Sequence, residues 1–142
     1  MLLAQALYYT GDTVRAEAML HGFKSGTPPE QRGRALLASF LAARGAKRDS
    51  LALVNDVLSR AYQDHHVAYS LGATYAGLGR TEEGLRWIRQ AADSGLLCSA
   101  WYLNDPLLAP LRMDPAFAPF IASVRSRASL VGVDYISELA RR

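Results

Sequence analysis

The chain is short of the residues that staple small domains together. It has a single cysteine, Cys98, among 142 residues, so no internal disulfide can form and a cysteine-rich zinc module is excluded. No apolar run approaches the ~18 residues of a membrane span. The opening Met1-Leu2-Leu3-Ala4-Gln5 lacks a basic stretch and does not read as a signal peptide. Lysine is scarce: of the 16 basic residues only Lys24 and Lys47 are lysine, the rest arginine. The net charge of +3 is scattered, with no block of five or more like charges. A nucleic-acid footprint needs a basic stripe, and the nearest approach is Arg125, Arg127, Arg141 and Arg142, which read as a solvated face. Strand signals are missing too, with no sustained alternation and no Asn-Gly hairpin. There is no P-loop, no GxGxxG and no HExxH. What remains is 50% hydrophobic and 20% charged, the balance of a folded globular chain. The expectation is a cytoplasmic protein with no membrane and no nucleic-acid partner.

The positive signal is a repeat. Gly11, Gly45 and Gly79 are spaced 34 and 34 residues apart. On that register Leu7, Leu41 and Tyr75 stand four residues before each glycine, Ala4, Ala38 and Gly72 seven before, and Leu3, Leu37 and Leu71 eight before. Ala16, Ser50 and Gly84 stand five after, and the large apolar Leu20, Val54 and Ile88 nine after. Within a unit the small column and the column three residues on lie about one turn apart on a helix, so a second helix can approach closely there. The spacing predicts helices over about 30–44, 49–62 and 65–78, the last ended by Gly79. Asp12 is a candidate N-cap, as is Thr81, with Glu82 and Glu83 in the turn that follows. Gly26-Thr27-Pro28-Pro29 separates two helices. Asp105-Pro106 and Asp114-Pro115 each read as an N-cap followed by a proline at the first helical position. The second pair predicts a helix from Pro115 to about Arg127, with Phe117, Phe120, Ile121 and Val124 on one face. A last short helix is expected over about 134–141, carrying Tyr135, Ile136 and Leu139.

These columns resemble the tetratricopeptide repeat family, whose 34-residue unit is a helix–turn–helix. The best match is the third unit, through Leu71, Gly72, Tyr75, Gly79, Gly84 and Ile88; the first two keep size more than identity. The resemblance implies an all-α fold: a right-handed α-solenoid of antiparallel helix pairs with a C-terminal helical cap. Three units are expected at 1–30, 31–64 and 65–98, the first lacking its opening turn, and capping helices at 99–142. The truncated start suggests the C-terminal piece of something longer. The stretch holding Asp105, Pro106, Leu108, Leu111, Arg112, Asp114, Pro115 and Phe117 resembles the segment that closes such arrays in bacterial multidomain regulators. There the array follows a nucleotide cyclase, a kinase or a winged-helix factor. The implied role is a non-catalytic interaction or assembly module, the regulatory part of a bacterial signalling protein. Any catalysis would belong to a domain upstream.

In the family, fixed columns of the first helix of each unit line a concave groove. The resemblance maps these onto Gln5, Tyr8 and Tyr9, then Arg32, Ala35, Ser39, Ala42 and Ala43, then His66, Tyr69, Ala73, Ala76 and Gly77. Such a surface suits an apolar or amphipathic segment, with Arg32 able to pair with an acidic residue. The expected occupants are a partner or upstream domain, a second copy giving a homodimer, or the chain's own tail through Tyr135, Ile136 and Leu139. No cofactor and no metal is expected. His65 and His66 are adjacent and diverge by about 100° on a helix, and Cys98 reads as a core residue at a helix junction. The rival readings are a small helical metal protein built on His65, His66 and Cys98, and a nucleic-acid binder using the C-terminal arginines.

Overall fold

A computed structural model describes residues 1–131. They form α1 (Leu2–Tyr9), α2 (Thr13–His21), α3 (Pro28–Ala43), α4 (Lys47–Leu58), α5 (His65–Gly77), α6 (Thr81–Asp93), α7 (Ser99–Asn104), a 3-10 turn (Pro106–Leu108), α8 (Ala109–Arg112) and α9 (Phe117–Leu130). No strand occurs among the described residues, and none of their helices is long and apolar enough to cross a membrane. The helix expected over about 134–141 lies outside the described residues.

The 34-residue register is visible in the backbone. Gly11, Gly45 and Gly79 have φ of 92°, 85° and 76°, a left-handed conformation that side chains resist and glycine accepts. After each glycine the next N–H reaches back to close the helix: Asp12 to the Leu7 carbonyl, Ala46 to Leu41 and Arg80 to Tyr75, each at 2.9 Å. This is the glycine-terminated C-cap that satisfies carbonyls left open at a helix end. Gly95 repeats it at the end of α6, Leu96 donating to the Ala91 carbonyl at 3.0 Å. A sharp turn thus joins α1 to α2, α3 to α4 and α5 to α6, and in each case the two helices pack on one another.

Several boundaries differ from the sequence-based expectation. Thr27 is the N-cap of α3 and both prolines lie in its first turn, where a missing N–H costs nothing. α4 runs from Lys47 to Leu58 instead of 49–62, and the carbonyls of Val57 and Tyr62 are taken by the buried Gln31 amide at 2.7 and 3.2 Å. Thr81 is the first residue of α6, not its cap; Arg80 holds the cap position and bonds to Glu83. Asp12 caps α2 through the Arg15 N–H, as expected. Asp114 accepts from the Ala116 N–H, but α9 starts only at Phe117. Cys98, expected in the core, is exposed, because the chain between α6 and α7 turns inward with Leu96 and Ser99 instead.

α5 is the centre of the fold. Every residue from Val67 to Ala76 is buried, against α3 on one side, α6 on another and the 3-10 turn and α8 on a third. A helix surrounded this way cannot keep a polar face; its Thr74 hydroxyl is satisfied by the Ser70 carbonyl at 2.8 Å. Contact with α6 is closest at Gly72, where a Cβ would meet Ile88 Cγ2 at 2.5 Å. The Asp-Pro segment supplies Leu108, Leu111 and Phe117 to the core, and Leu111 Cδ2 would lie 2.8 Å from a Cβ on Gly84. At the start of α3, buried Glu30 gathers the Gly26 N–H (2.7 Å), Arg34 (2.7 Å) and Arg60 (3.0 Å), and both arginines also reach Asp56. The Arg34 bond is the main cause that holds the Glu30 carboxyl below its ordinary pKa.

Candidate interaction groove

The residues mapped onto the groove do not all reach the same place. The start of α1, the middle of α3, the first half of α5 and the turn after α6 surround a hollow of about 210 Å³. Its walls are mainly Met1, Leu2, Leu36, Tyr69, Leu96 and Trp101, with Gln5, His66 and Ser70 as the polar members. Gln5, His66 and Tyr69 are therefore brought together, whereas Tyr9 is not one of the walls. The other mapped residues serve elsewhere. Tyr8 stacks on Phe40, with ring centroids 3.9 Å apart and planes 7° from parallel. Ser39 is fully buried and donates to the Leu36 carbonyl at 2.7 Å. Ala73 is buried in the core cluster. Arg32 is not a wall of the hollow: its side chain is 34% exposed, its Nε donates to Asp64 at 2.7 Å and its Nη2 to the Tyr62 hydroxyl at 2.7 Å. Asp64 also caps α5 through the Val67 N–H. Burial works to raise the Asp64 carboxyl, but the Val67, Tyr62 and Arg32 bonds outweigh it and hold the pKa low. Arg32 is thus committed to the α3–α5 junction. The repeat positions Leu37, Leu71, Gly72 and Tyr75 are buried packing residues.

The sequence reading missed what Tyr9 and Tyr69 bind. The Tyr9 hydroxyl donates to Asp105 Oδ1 at 2.5 Å and the Tyr69 hydroxyl to Oδ2 at 2.6 Å. Asp105 is 4% exposed. It also caps the 3-10 turn by accepting the Leu107 N–H at 2.8 Å, while its backbone carbonyl takes Arg112 at 2.8 Å. Asp105 therefore joins α1, α5 and the capping segment. The Asp-Pro pair announced only its local capping role. Its two partners lie 96 and 36 residues away, a separation no local pattern reports. Met1, Leu2, Leu36, Ser70, Leu96 and Trp101 are wall residues that the columns do not indicate; Trp101, an aromatic just outside the repeats, is the one signal.

Burial, then the neighbouring Asp105, pushes the Tyr69 hydroxyl far above the ordinary tyrosine pKa, and the same two causes raise Tyr9. Burial, followed by the electrostatic effect of the adjacent His65, lowers the pKa of His66. The His65 and His66 rings lie 4.2 Å apart at 44°. Among the described residues no group of three or more His, Cys, Asp or Glu side chains is placed to hold a metal ion. The arrangement is a largely apolar recess with a few hydrogen-bonding edges. No protein-family model, curated protein or solved structure matches this chain.

Proposed function

We propose that this chain is a non-catalytic protein-interaction module, a tetratricopeptide-like α-solenoid whose concave side receives an apolar or amphipathic segment. The observation that carries the reading is the hollow walled by Met1, Leu2, Leu36, Tyr69, Leu96 and Trp101. Its walls are mostly apolar carbon, so covering them removes apolar surface from water. A large aliphatic or aromatic side chain fits it, and the Gln5 amide and His66 ring give a helix or extended strand something to bond at the rim. The repeated glycine turns at Gly11, Gly45 and Gly79 support the solenoid reading, as does the stacking of α3 on α5. A regulatory place within a larger bacterial signalling protein, in the cytoplasm, rests on the resemblance of the 105–117 segment and on the preference for arginine over lysine.

Selection of a displayed library of random short peptides against the purified chain tests this. The expected winners share large apolar residues at helical spacing and lose binding to Gln5→Trp, which fills the hollow from a half-buried wall position. Failure to enrich any peptide, or equal binding to Gln5→Trp, refutes it.

A further inference from the structure

Two walls of the hollow are large aromatic side chains, Tyr69 and Trp101. Their ring centroids lie 5.8 Å apart, with planes 48° from parallel. Both are held by one residue that is not itself a wall. The Asp105 carboxylate accepts the Tyr69 hydroxyl at 2.6 Å. The Asp105 N–H donates to the Trp101 carbonyl at 3.0 Å, closing the end of α7. Side chain and backbone of a single buried residue thus fix the two aromatic walls from behind.

A carboxylate is an unfavourable group to place there. Its oxygens accept from two phenols and one backbone N–H, and Arg112 takes only the backbone carbonyl. No cation pairs with the carboxylate among the described residues, and a charge taken out of water without one is penalised. An apolar side chain would occupy the same space without that penalty. What the carboxylate adds is direction. Ring packing, such as that of Tyr69 on Tyr102 at 5.5 Å between centroids, is non-directional. A hydrogen bond to an ionised oxygen is short, strong and aimed, so it fixes how deep the Tyr69 ring sits. Tyr9 takes the other oxygen at 2.5 Å but is not a wall. The two phenols on one carboxylate therefore differ in whether they touch the hollow.

We propose that Asp105 is the positioning residue of the hollow: it sets the depth and angle of Tyr69 against Trp101, and through them the fit of an apolar ring or side chain. The inference rests on the reading of the hollow as an interaction site and adds the residue that shapes it.

NMR on the full chain tests it. The indole N–H resonance of Trp101, told apart from that of Trp87 by a Trp87→Phe reference, reads the pair of rings, and free indole is the probe of the hollow. Tyr69→Phe keeps the ring and removes its bond to Asp105. It should move the Trp101 resonance and weaken indole binding by roughly threefold or more, the scale of coupling between residues in contact. Tyr9→Phe removes the other hydroxyl from the same carboxylate and should leave both readouts unchanged. In an Asp105→Ala chain, adding Tyr69→Phe should change neither any further, which separates the bond from the hydroxyl itself. Asp105→Asn keeps an oxygen for Tyr69 and should stay close to the unaltered chain; it replaces Asp105→Ala in the comparison if the alanine variant does not fold, with Tyr69→Phe then restoring the shift. A Trp101 resonance unmoved by Tyr69→Phe, moved as far by Tyr9→Phe, or moved again by Tyr69→Phe in the Asp105→Ala chain overturns the proposal. The two readings fail separately. Indole bound equally by every variant leaves the hollow a site that Asp105 does not shape. Indole bound by none, with Trp101 moving as expected, keeps the positioning of the rings and removes the site.

Discussion

Replacing Asp105 by alanine probes the contact that joins α1, α5 and the capping segment. The side chain is 4% exposed and accepts three bonds: Tyr9 at 2.5 Å, Tyr69 at 2.6 Å and the Leu107 N–H at 2.8 Å. The three losses are unequal. Tyr69 is 5% exposed, so its hydroxyl is left buried without an acceptor, a cost of about 1–3 kcal/mol. The 3-10 turn loses its cap, a further ~1 kcal/mol. Tyr9 is 42% exposed, and water takes up its hydroxyl at little cost. Relief from holding a carboxyl in a buried site offsets part of this. The expected net loss is about 2–3 kcal/mol, a large share of the ~5–15 kcal/mol that stabilises a domain. Urea unfolding gives the number, provided that the slope of the transition is unchanged. A double-mutant cycle with Tyr69→Phe should return a coupling of at least ~1 kcal/mol, and one with Tyr9→Phe clearly less. A loss under ~0.5 kcal/mol, or equal couplings for the two tyrosines, would refute the assignment of Asp105 as a buried bridge.

Two glycines separate two kinds of constraint. Gly72→Ala drives a Cβ to 2.5 Å from Ile88 Cγ2 and should cost about 1–3 kcal/mol by overpacking, whereas Gly79→Ala meets open space and should cost about 1 kcal/mol through its φ of +76° alone; thermal unfolding of both checks the order. At alkaline pH, Tyr69 and Tyr102 ionise far less readily in the fold than in the unfolded chain because of burial. Their contribution is whole below the unfolded tyrosine pKa of about 10 and falls as pH rises beyond it, so phenolate absorbance should appear together with loss of helix; smooth titration near pH 10 with helix retained counts against it. Glu30 has the opposite sign: its lowered pKa gives stability that is present above the ordinary glutamate value and lost as pH falls through the lowered one. Glu30→Gln should therefore flatten the acid limb of the stability profile, as measured by urea midpoints between neutral and acidic pH.

What the sequence determined by itself was periodic and local. The 34-residue glycine spacing located three helix ends, because a left-handed C-cap is a demand on one residue type. Gly72 was legible as a close approach because a small residue in a helical column has no other use. Helix starts were less legible: at Thr81, Asp49 and Pro115 the reading was displaced by one or two residues, since a cap can be supplied by backbone turns or distant side chains instead of the residue that usually supplies it. The groove was half legible. Gln5, His66 and Tyr69 converge as the columns imply, yet Tyr8 is stacked on Phe40 and Arg32 is spent on Asp64. The tertiary structure alone decided those outcomes, and the bridge at Asp105 with them. Which partner a polar side chain takes depends on which elements the packing brings within about 3 Å. In this chain Tyr9 lies on α1, Tyr69 on α5 and Asp105 between α7 and the 3-10 turn, far apart in sequence.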